Sequence, residues 1–135
     1  MKVFFYGLFM DEDLLATKGI EPAEALTGFV DGFDLCIGER ATLVRQPGGR
    51  AWGVMMDIDE GEAARLYSEE SVSDYLPETI VVELRDGTKW DATCYNLPAD
   101  KVAGANRQYA AALLQLASRL GFPESYLDQI RQTYK

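Results

Sequence analysis

The dipeptide Asp86-Gly87, which lies between two β-rich segments, constrains the fold of this chain more than any other feature. Residues 79–85 and 88–96 on its two sides are rich in β-branched and aromatic side chains. Asp-Gly between two β-rich segments is the strongest short signal of a hairpin in this chain. The sequence therefore predicts a β-hairpin here and, with it, an antiparallel sheet.

A second turn signal, Pro47-Gly48-Gly49, lies between the largely apolar segments 41–45 and 51–58. Proline presets a turn-forming φ angle and glycine supplies the positive one, so these two segments are also predicted to form a hairpin. Two further strands are predicted over residues 2–6 and 25–37 from their apolar, β-rich composition.

Helices are predicted where capping residues precede apolar positions with helical spacing. Asp11 fits the N-cap of a short helix after the first strand. Asp59, followed three residues later by Glu62, fits a capping box. Residues 106–120 carry an amphipathic stripe, and a last short helix follows towards the C-terminus. Strands interrupted by one mid-chain helix and followed by two others predict an α+β fold, with residues 1–135 as a single domain.

Charge and composition exclude several classes of function. The chain has 135 residues and a formal net charge of −9, which repels phosphate backbones and argues against nucleic-acid binding. No apolar stretch approaches the length that spans a membrane, so no membrane partner is predicted. The short apolar run at the start is interrupted by acidic residues, unlike a secretory signal, and the expected location is cytoplasmic.

The chain contains no histidine, which restricts its possible chemistry. Histidine-based triads, histidine general bases and nearly all catalytic zinc sites are excluded. The two cysteines, Cys36 and Cys94, lie far apart in apolar segments and are expected to be reduced thiols. No nucleotide-binding motif is present, so no cofactor and no metal are predicted. A proton-transfer group would then be a carboxylate, a tyrosine or a lysine.

An apolar run from Phe4 to Met10, broken by Gly7, lies near the start of the chain and is followed by acidic residues from Asp11. A strand, a glycine turn and an acid-capped helix start form a place where backbone N–H groups can face a ligand. Glycine is expected at position 7 because the turn is tight or has a positive φ angle. The alternative is an ordinary first strand and turn.

Four segments in this order resemble the γ-glutamylcyclotransferase-like superfamily, which includes the AIG2-like proteins. They are Tyr6-Gly7, where the family has a Tyr-Gly-Ser turn, the pair GERATLV and AWGVM in residues 38–55, residues 64–72, and residues 121–126. Residues 64–72 are similar to the short helix that ends in the family's catalytic glutamate. Leu8 stands where the family has serine.

The resemblance implies a γ-glutamylcyclotransferase-like fold, a small, mostly antiparallel β-barrel flanked by helices. It also implies a cofactor-free enzyme of the lyase or acyltransferase type that acts on a small γ-glutamyl compound. The α-amine of the γ-glutamyl group attacks its own side-chain carbonyl, which releases 5-oxoproline and a free amine or amino acid. The alternative is a non-catalytic domain on the same fold that binds a small ligand or a protein. The amine portion, the pathway and the oligomeric state are left open.

The resemblance assigns the general acid/base to Glu70, because one carboxylate between the two nitrogens can take a proton from one and give it to the other. The expected substrate-binding residues are Tyr6, Gly7, Leu8, Phe9 and Tyr75, the last aligning with a family tyrosine beyond the glutamate. Glu69 is expected to be replaceable, because neighbouring side chains on a helix point about 100° apart. On residue type alone, both glutamates could equally belong to a solvated helix end.

Overall fold

The structure of the protein is a computed structural model that describes residues 1–133. Its five strands are β1 (Lys2–Phe5), β2 (Glu24–Ile37), β3 (Ala41–Asp57), β4 (Leu76–Leu84) and β5 (Lys89–Asn96). They form a closed barrel in the order β1-β3-β2-β4-β5. The pairing of β1 with β5 is parallel and the other pairings are antiparallel. The predicted mostly antiparallel barrel is therefore confirmed.

Within residues 1–133 four helices flank this barrel, and two of them start at the predicted capping residues. They are α1 (Glu12–Thr17), α2 (Glu60–Leu66), α3 (Arg107–Arg119) and α4 (Glu124–Gln132). The Asp11 carboxylate accepts the Asp13 N–H at 2.9 Å at the start of α1. The Glu62 carboxylate accepts the Asp59 N–H at 3.0 Å at the start of α2, as in a capping box. At the start of α3, the Asn106 side-chain oxygen accepts the Tyr109 N–H at 2.9 Å.

The hairpin predicted at Asp86-Gly87 is confirmed. β4 and β5 pair in antiparallel register up to Glu83 and Lys89. Gly87 has a φ angle of +86°, which glycine adopts without steric cost. The Asp86 carboxylate accepts the Thr88 N–H at 2.9 Å and so stabilises the turn locally.

The hairpin predicted at Pro47-Gly48-Gly49 is wrong, because these residues lie inside one continuous strand, β3. The turn that joins β2 to β3 lies instead at residues 38–40, where Ile37 pairs with Ala41. A proline-glycine signal marks a local change of chain direction, and here that change occurs within a strand rather than between two.

An irregularity in the β2–β3 ladder accommodates this change of direction. Asp31 pairs with Arg50 and Phe33 pairs with Arg45, so four residues of β3 bulge opposite Gly32 alone. Gly32 has a φ angle of +86°, which lets β2 bend with its partner. The two strands therefore stay paired on both sides of the bulge and form the longest ladder of the barrel.

The core fills the barrel and the space between the barrel and the helices. Its largest fully buried side chains include Phe4, Leu15, Ile20, Met56, Leu66, Leu113 and Ile130. Burial of such a side chain contributes about 1.5–3 kcal/mol relative to leaving it exposed.

No helix within residues 1–133 has the length and apolar character needed to cross a membrane. β1 pairs with β3 on one side and β5 on the other and ends at Phe5, so the residues directly after Phe5 lie at one end of the barrel.

Candidate active site

A pocket of about 300 Å³ opens at the end of β1. Its walls are the 3₁₀ turn Leu8–Met10, the end of α1, the segment after α2 and the start of α3. Most lining side chains are aromatic or aliphatic, and the charged ones are Lys18, Arg40 and Glu69. All five residues predicted to bind substrate line this pocket: Tyr6, Gly7, Leu8, Phe9 and Tyr75. Their role in binding stays a prediction.

Gly7 is needed at the turn because another side chain approaches it closely. Gly7 has a φ angle of −109°, which every residue can adopt. The prediction that glycine is required here for a positive φ angle is therefore wrong. A Cβ atom at this position would overlap the Tyr109 hydroxyl oxygen, while the next atom of that ring, Cζ, would be 3.8 Å away. Tyr109 belongs to α3, so this contact fixes the turn against a helix about a hundred residues later in the chain.

The backbone N–H groups of this turn are only partly available to a ligand. The Leu8 N–H donates to the Tyr109 hydroxyl at 3.2 Å. The Met10 N–H donates to the Gly7 carbonyl at 3.1 Å, inside the 3₁₀ turn. Among the hydrogen bonds of residues 1–133, none uses the N–H of Gly7 or of Phe9. These two N–H groups are therefore without a hydrogen-bond partner in the described part of the chain.

Glu69 places a carboxylate in the pocket, and it is the one carboxylate residue among the described residues that line it. Its two carboxylate oxygens lie 2.7 and 3.0 Å from the Lys18 ammonium nitrogen. The same ammonium lies 6.0 Å from the centre of the Phe9 ring. Because both charged side chains are partly exposed, 28% for Lys18 and 38% for Glu69, the pair orients the carboxylate more than it stabilises the fold.

Glu70, the predicted catalytic residue, is exposed and does not line the pocket, so the expected placement of the two glutamates is reversed. The prediction assumed that both lie on one continuous helix. In the structure α2 ends at Leu66, and Glu69 has an extended backbone with φ −62° and ψ 139°. The chain therefore turns after the helix and directs Glu69 inwards, while Glu70 begins a 3₁₀ turn at the surface.

Tyrosine rings form much of the pocket wall. Tyr67 stacks on Tyr95 with ring centres 3.8 Å apart, and the Tyr75 ring centre lies 6.1 Å from that of Tyr67. The Tyr75 hydroxyl donates to the Ala41 carbonyl, and the Tyr6 hydroxyl donates to the Tyr95 carbonyl at 2.7 Å. These two hydroxyl protons are thus held by the backbone.

Burial raises the pKa values of these tyrosines above the usual value near ten. The effect is large for Tyr6 and Tyr67, and for Tyr75 it outweighs the lowering of the pKa by the nearby Arg40 guanidinium. A neutral phenol is a weak proton acceptor, so none of the three can serve as a general base near neutral pH. Of the described groups that line the pocket, Glu69 is the one suited to accept a proton.

Comparison with known proteins gives the family of this chain. The sequence profile of the AIG2-like family matches residues 50–130, which is more than half of the chain. The chain belongs to the AIG2-like family. The match covers Glu69 and Tyr75, whereas the Tyr6-Gly7 turn lies before it. No curated protein matches the chain by sequence.

Solved structures similar to this AIG2-like protein share its whole fold. A γ-glutamyl cyclotransferase has a TM-score of 0.81 at 18% identity, over 97% of this chain and 86% of that one. An uncharacterized protein from Homo sapiens has a TM-score of 0.79 at 19% identity, over 96% and 85%. YkqA from Bacillus subtilis has a TM-score of 0.80 at 18% identity, over 98% and 53%. The expected γ-glutamylcyclotransferase-like fold is confirmed.

Several pocket residues of this AIG2-like protein were not assigned a site role from the sequence, namely Lys18, Arg40, Tyr67 and Tyr109. Arg40 lies in the turn between β2 and β3, donates to the Ser71 carbonyl at 3.1 Å and lies 3.4 Å from Asp74. Each of these residues reaches the pocket from a different element, so no local spacing links them. The motif around Arg40 contributed to the resemblance, but nothing in it indicated which way its side chain points.

The described part of this AIG2-like protein contains no cluster of three or more metal-ligating side chains. Independence from metals and cofactors stays a prediction. Cys94 is buried and Cys36 half-buried, and both are free thiols. Burial raises the pKa of Cys94 to about 12, so this thiol stays protonated at neutral pH and is a poor nucleophile.

Proposed function

We propose that this AIG2-like protein is a γ-glutamyl cyclotransferase-type enzyme that releases 5-oxoproline and a free amine from a small γ-glutamyl compound. The observation that carries the proposal is the position of Glu69, a carboxylate oriented by Lys18 that lines the same pocket as the Gly7–Phe9 turn. The family and the fold are consistent with this reaction. The proposal transfers the acid/base role from Glu70 to Glu69, because only Glu69 lies in the pocket.

The reaction requires one proton to move from the attacking nitrogen to the leaving nitrogen. The substrate α-amine, in its neutral form, attacks the γ-carbonyl carbon, and a new C–N bond closes the five-membered lactam. The Glu69 carboxylate takes a proton from the attacking nitrogen and gives it to the leaving nitrogen as the old C–N bond breaks. No net proton, electron or co-reactant is consumed.

The pocket supplies groups that hold the γ-glutamyl unit folded for this attack. The free N–H groups of Gly7 and Phe9, together with the Arg40 guanidinium, suit the substrate α-carboxylate. The aromatic wall around Tyr67 and Tyr75 excludes water and packs on the methylene groups. Holding the two reacting groups together makes the attack intramolecular, which lowers a barrier by about 7–11 kcal/mol at best.

Lys18 contacts both oxygens of Glu69 without preventing this role. Each carboxylate oxygen has two lone pairs, so an oxygen that accepts from Lys18 retains a site for a substrate N–H. The ammonium thereby fixes which lone pairs face the pocket. We assign Lys18 as a positioning residue for Glu69.

Release of 5-oxoproline from a panel of γ-glutamyl amino acids, γ-glutamyl amines and γ-glutamyl peptides tests the proposal. We expect metal-free protein, in the presence of a chelator, to release 5-oxoproline and the free amine in equal amounts from at least one class. Both products are measured by chromatography coupled to mass spectrometry. Activity that disappears with the chelator and returns with a divalent ion would contradict the metal-free mechanism.

The close Lys18–Glu69 pair specifically favours a second function, a non-catalytic domain that binds a small ligand in the same pocket. In that case the carboxylate serves only to hold Lys18, and the aromatic walls bind the ligand. Saturable binding of a γ-glutamyl compound by calorimetry, with no 5-oxoproline from any member of the panel, would support this function and exclude the enzyme.

A further inference from the structure

A second groove, of about 440 Å³, adjoins the pocket and shares two residues with it. Lys18 and Glu69 line both spaces, so the ion pair lies at the junction of the two. The groove runs between the end of α1 and the end of α2. Its other lining residues are Thr17, Ile20, Arg65, Leu66 and Ser68.

We propose that this second groove holds the amine portion of the substrate and that Arg65 selects amine portions that carry a carboxylate. The preferred substrates are then γ-glutamyl amino acids or peptides rather than γ-glutamyl alkylamines. This inference rests on the proposed function, because it assigns the groove to the leaving group of that reaction.

The position of Glu69 at the junction determines where the leaving group lies. Glu69 has to come within hydrogen-bond distance of the leaving nitrogen in order to protonate it. The γ-glutamyl unit occupies the first pocket in the proposed function. The part of the substrate beyond the scissile bond therefore passes Glu69, and the adjoining groove is the space that Glu69 also lines.

The charge of the groove favours an anion. The Lys18 ammonium is compensated by Glu69, whereas the Arg65 guanidinium has no carboxylate within ion-pair distance in the described chain. Its contacts are two long hydrogen bonds, 3.4 and 3.5 Å, to the carbonyl oxygens of Lys18 and Gly19. A guanidinium suits a carboxylate because its planar donors can bind both oxygens.

The remaining lining residues leave Arg65 as the main donor. The Thr17 and Ser68 hydroxyls already donate to the Leu14 and Arg65 carbonyls, each at 2.6 Å. Ile20 and Leu66 are almost fully buried and contribute an apolar floor. An amino acid, with an aliphatic part next to a carboxylate, matches a groove that has an apolar floor and one cationic rim residue.

Paired substrates that differ in one charge test this inference. The rate of 5-oxoproline release is compared for γ-glutamyl-alanine and for its C-terminal amide, with the wild type and the variants Arg65→Gln and Arg65→Lys. Arg85→Gln is the matched control, because Arg85 also donates to a backbone carbonyl, at 2.8 Å, but lines neither space.

We expect the wild type to have a kcat/KM for γ-glutamyl-alanine on the order of tenfold higher than for its C-terminal amide. One hydrogen bond to a charged group supplies a difference in binding of this size. Arg65→Gln should reduce the preference to near unity, mainly through a higher KM for the acid. Arg65→Lys should retain part of the preference, because lysine keeps the charge but not the planar pair of donors, and Arg85→Gln should retain all of it. Turnover of both substrates without a preference, or a preference that survives Arg65→Gln, overturns the inference and leaves the proposed function intact. Absence of 5-oxoproline from every substrate overturns both.

Discussion

Replacing Glu69 by glutamine is expected to lower kcat for 5-oxoproline release by on the order of a hundredfold or more, the usual range for an acid–base residue. Glutamine keeps the shape of the side chain and can still accept a hydrogen bond from Lys18 through its carbonyl oxygen. It cannot take a proton from the attacking amine and return it to the leaving nitrogen. Initial rates at saturating substrate, with folding checked by circular dichroism, measure the effect.

Glu70→Gln is the matched control for this substitution, because it makes the same chemical change one residue later, at an exposed position. It should change kcat less than twofold, within the scatter expected for a surface substitution. The reverse result, an inactive Glu70→Gln and an active Glu69→Gln, would assign the acid/base role to Glu70, as the sequence predicts. It would also show that the segment after α2 rearranges when substrate binds.

Replacing Gly7 by alanine is expected to lower the free energy of unfolding by about 1–3 kcal/mol, which is the usual cost of inserting an atom into a packed region. The added Cβ overlaps the Tyr109 hydroxyl oxygen, so either the turn or the start of α3 has to shift. That shift also displaces the N–H groups of Gly7 and Phe9, and KM for the substrate should rise. Urea unfolding and steady-state kinetics measure the two effects.

A double-mutant cycle with Tyr109→Phe separates this overlap from any other effect of the added methyl group. Tyr109→Phe removes the overlapping oxygen and leaves the ring carbon Cζ at an ordinary 3.8 Å from the new Cβ. By itself it costs about 0.5–1.5 kcal/mol, because the Leu8 N–H loses its acceptor. In the Tyr109→Phe background Gly7→Ala should then cost much less than in the wild type. Equal costs in both backgrounds would mean that the hydroxyl contact is not the reason for glycine.

Features set by short-range sequence signals were predictable. The Asp86-Gly87 hairpin and the caps at Asp11 and Asp59 depend on neighbouring residues alone, and all three are present. The proline-glycine signal near residue 48 predicts a hairpin, but it marks a bulge within β3. A bulge inside a long ladder and a turn between two strands have the same local composition. Pairing partners distant in sequence decide between the two.

The candidate site shows the same limit. The Tyr6-Gly7 turn was located, because a glycine that interrupts an apolar run is a local feature. The choice between Glu69 and Glu70 depended on where α2 ends, and helix ends are the part of an element that local propensity defines least well. The contact of Lys18 with Glu69 joins two segments about fifty residues apart, and no spacing within either segment indicates it.

The position of β1 has a consequence for the order of folding. The β2–β3 and β4–β5 hairpins join neighbouring segments, whereas the parallel contact between β1 and β5 joins residues 3 and 93. Contacts across so long a stretch of chain carry a large loop-closure entropy and form slowly. Since the Gly7 turn is attached to β1, we expect the pocket to appear only when the barrel closes, after both hairpins exist. Pulsed hydrogen exchange during refolding should show amides of the β2–β3 ladder protected before those of β1, and simultaneous protection would exclude this order.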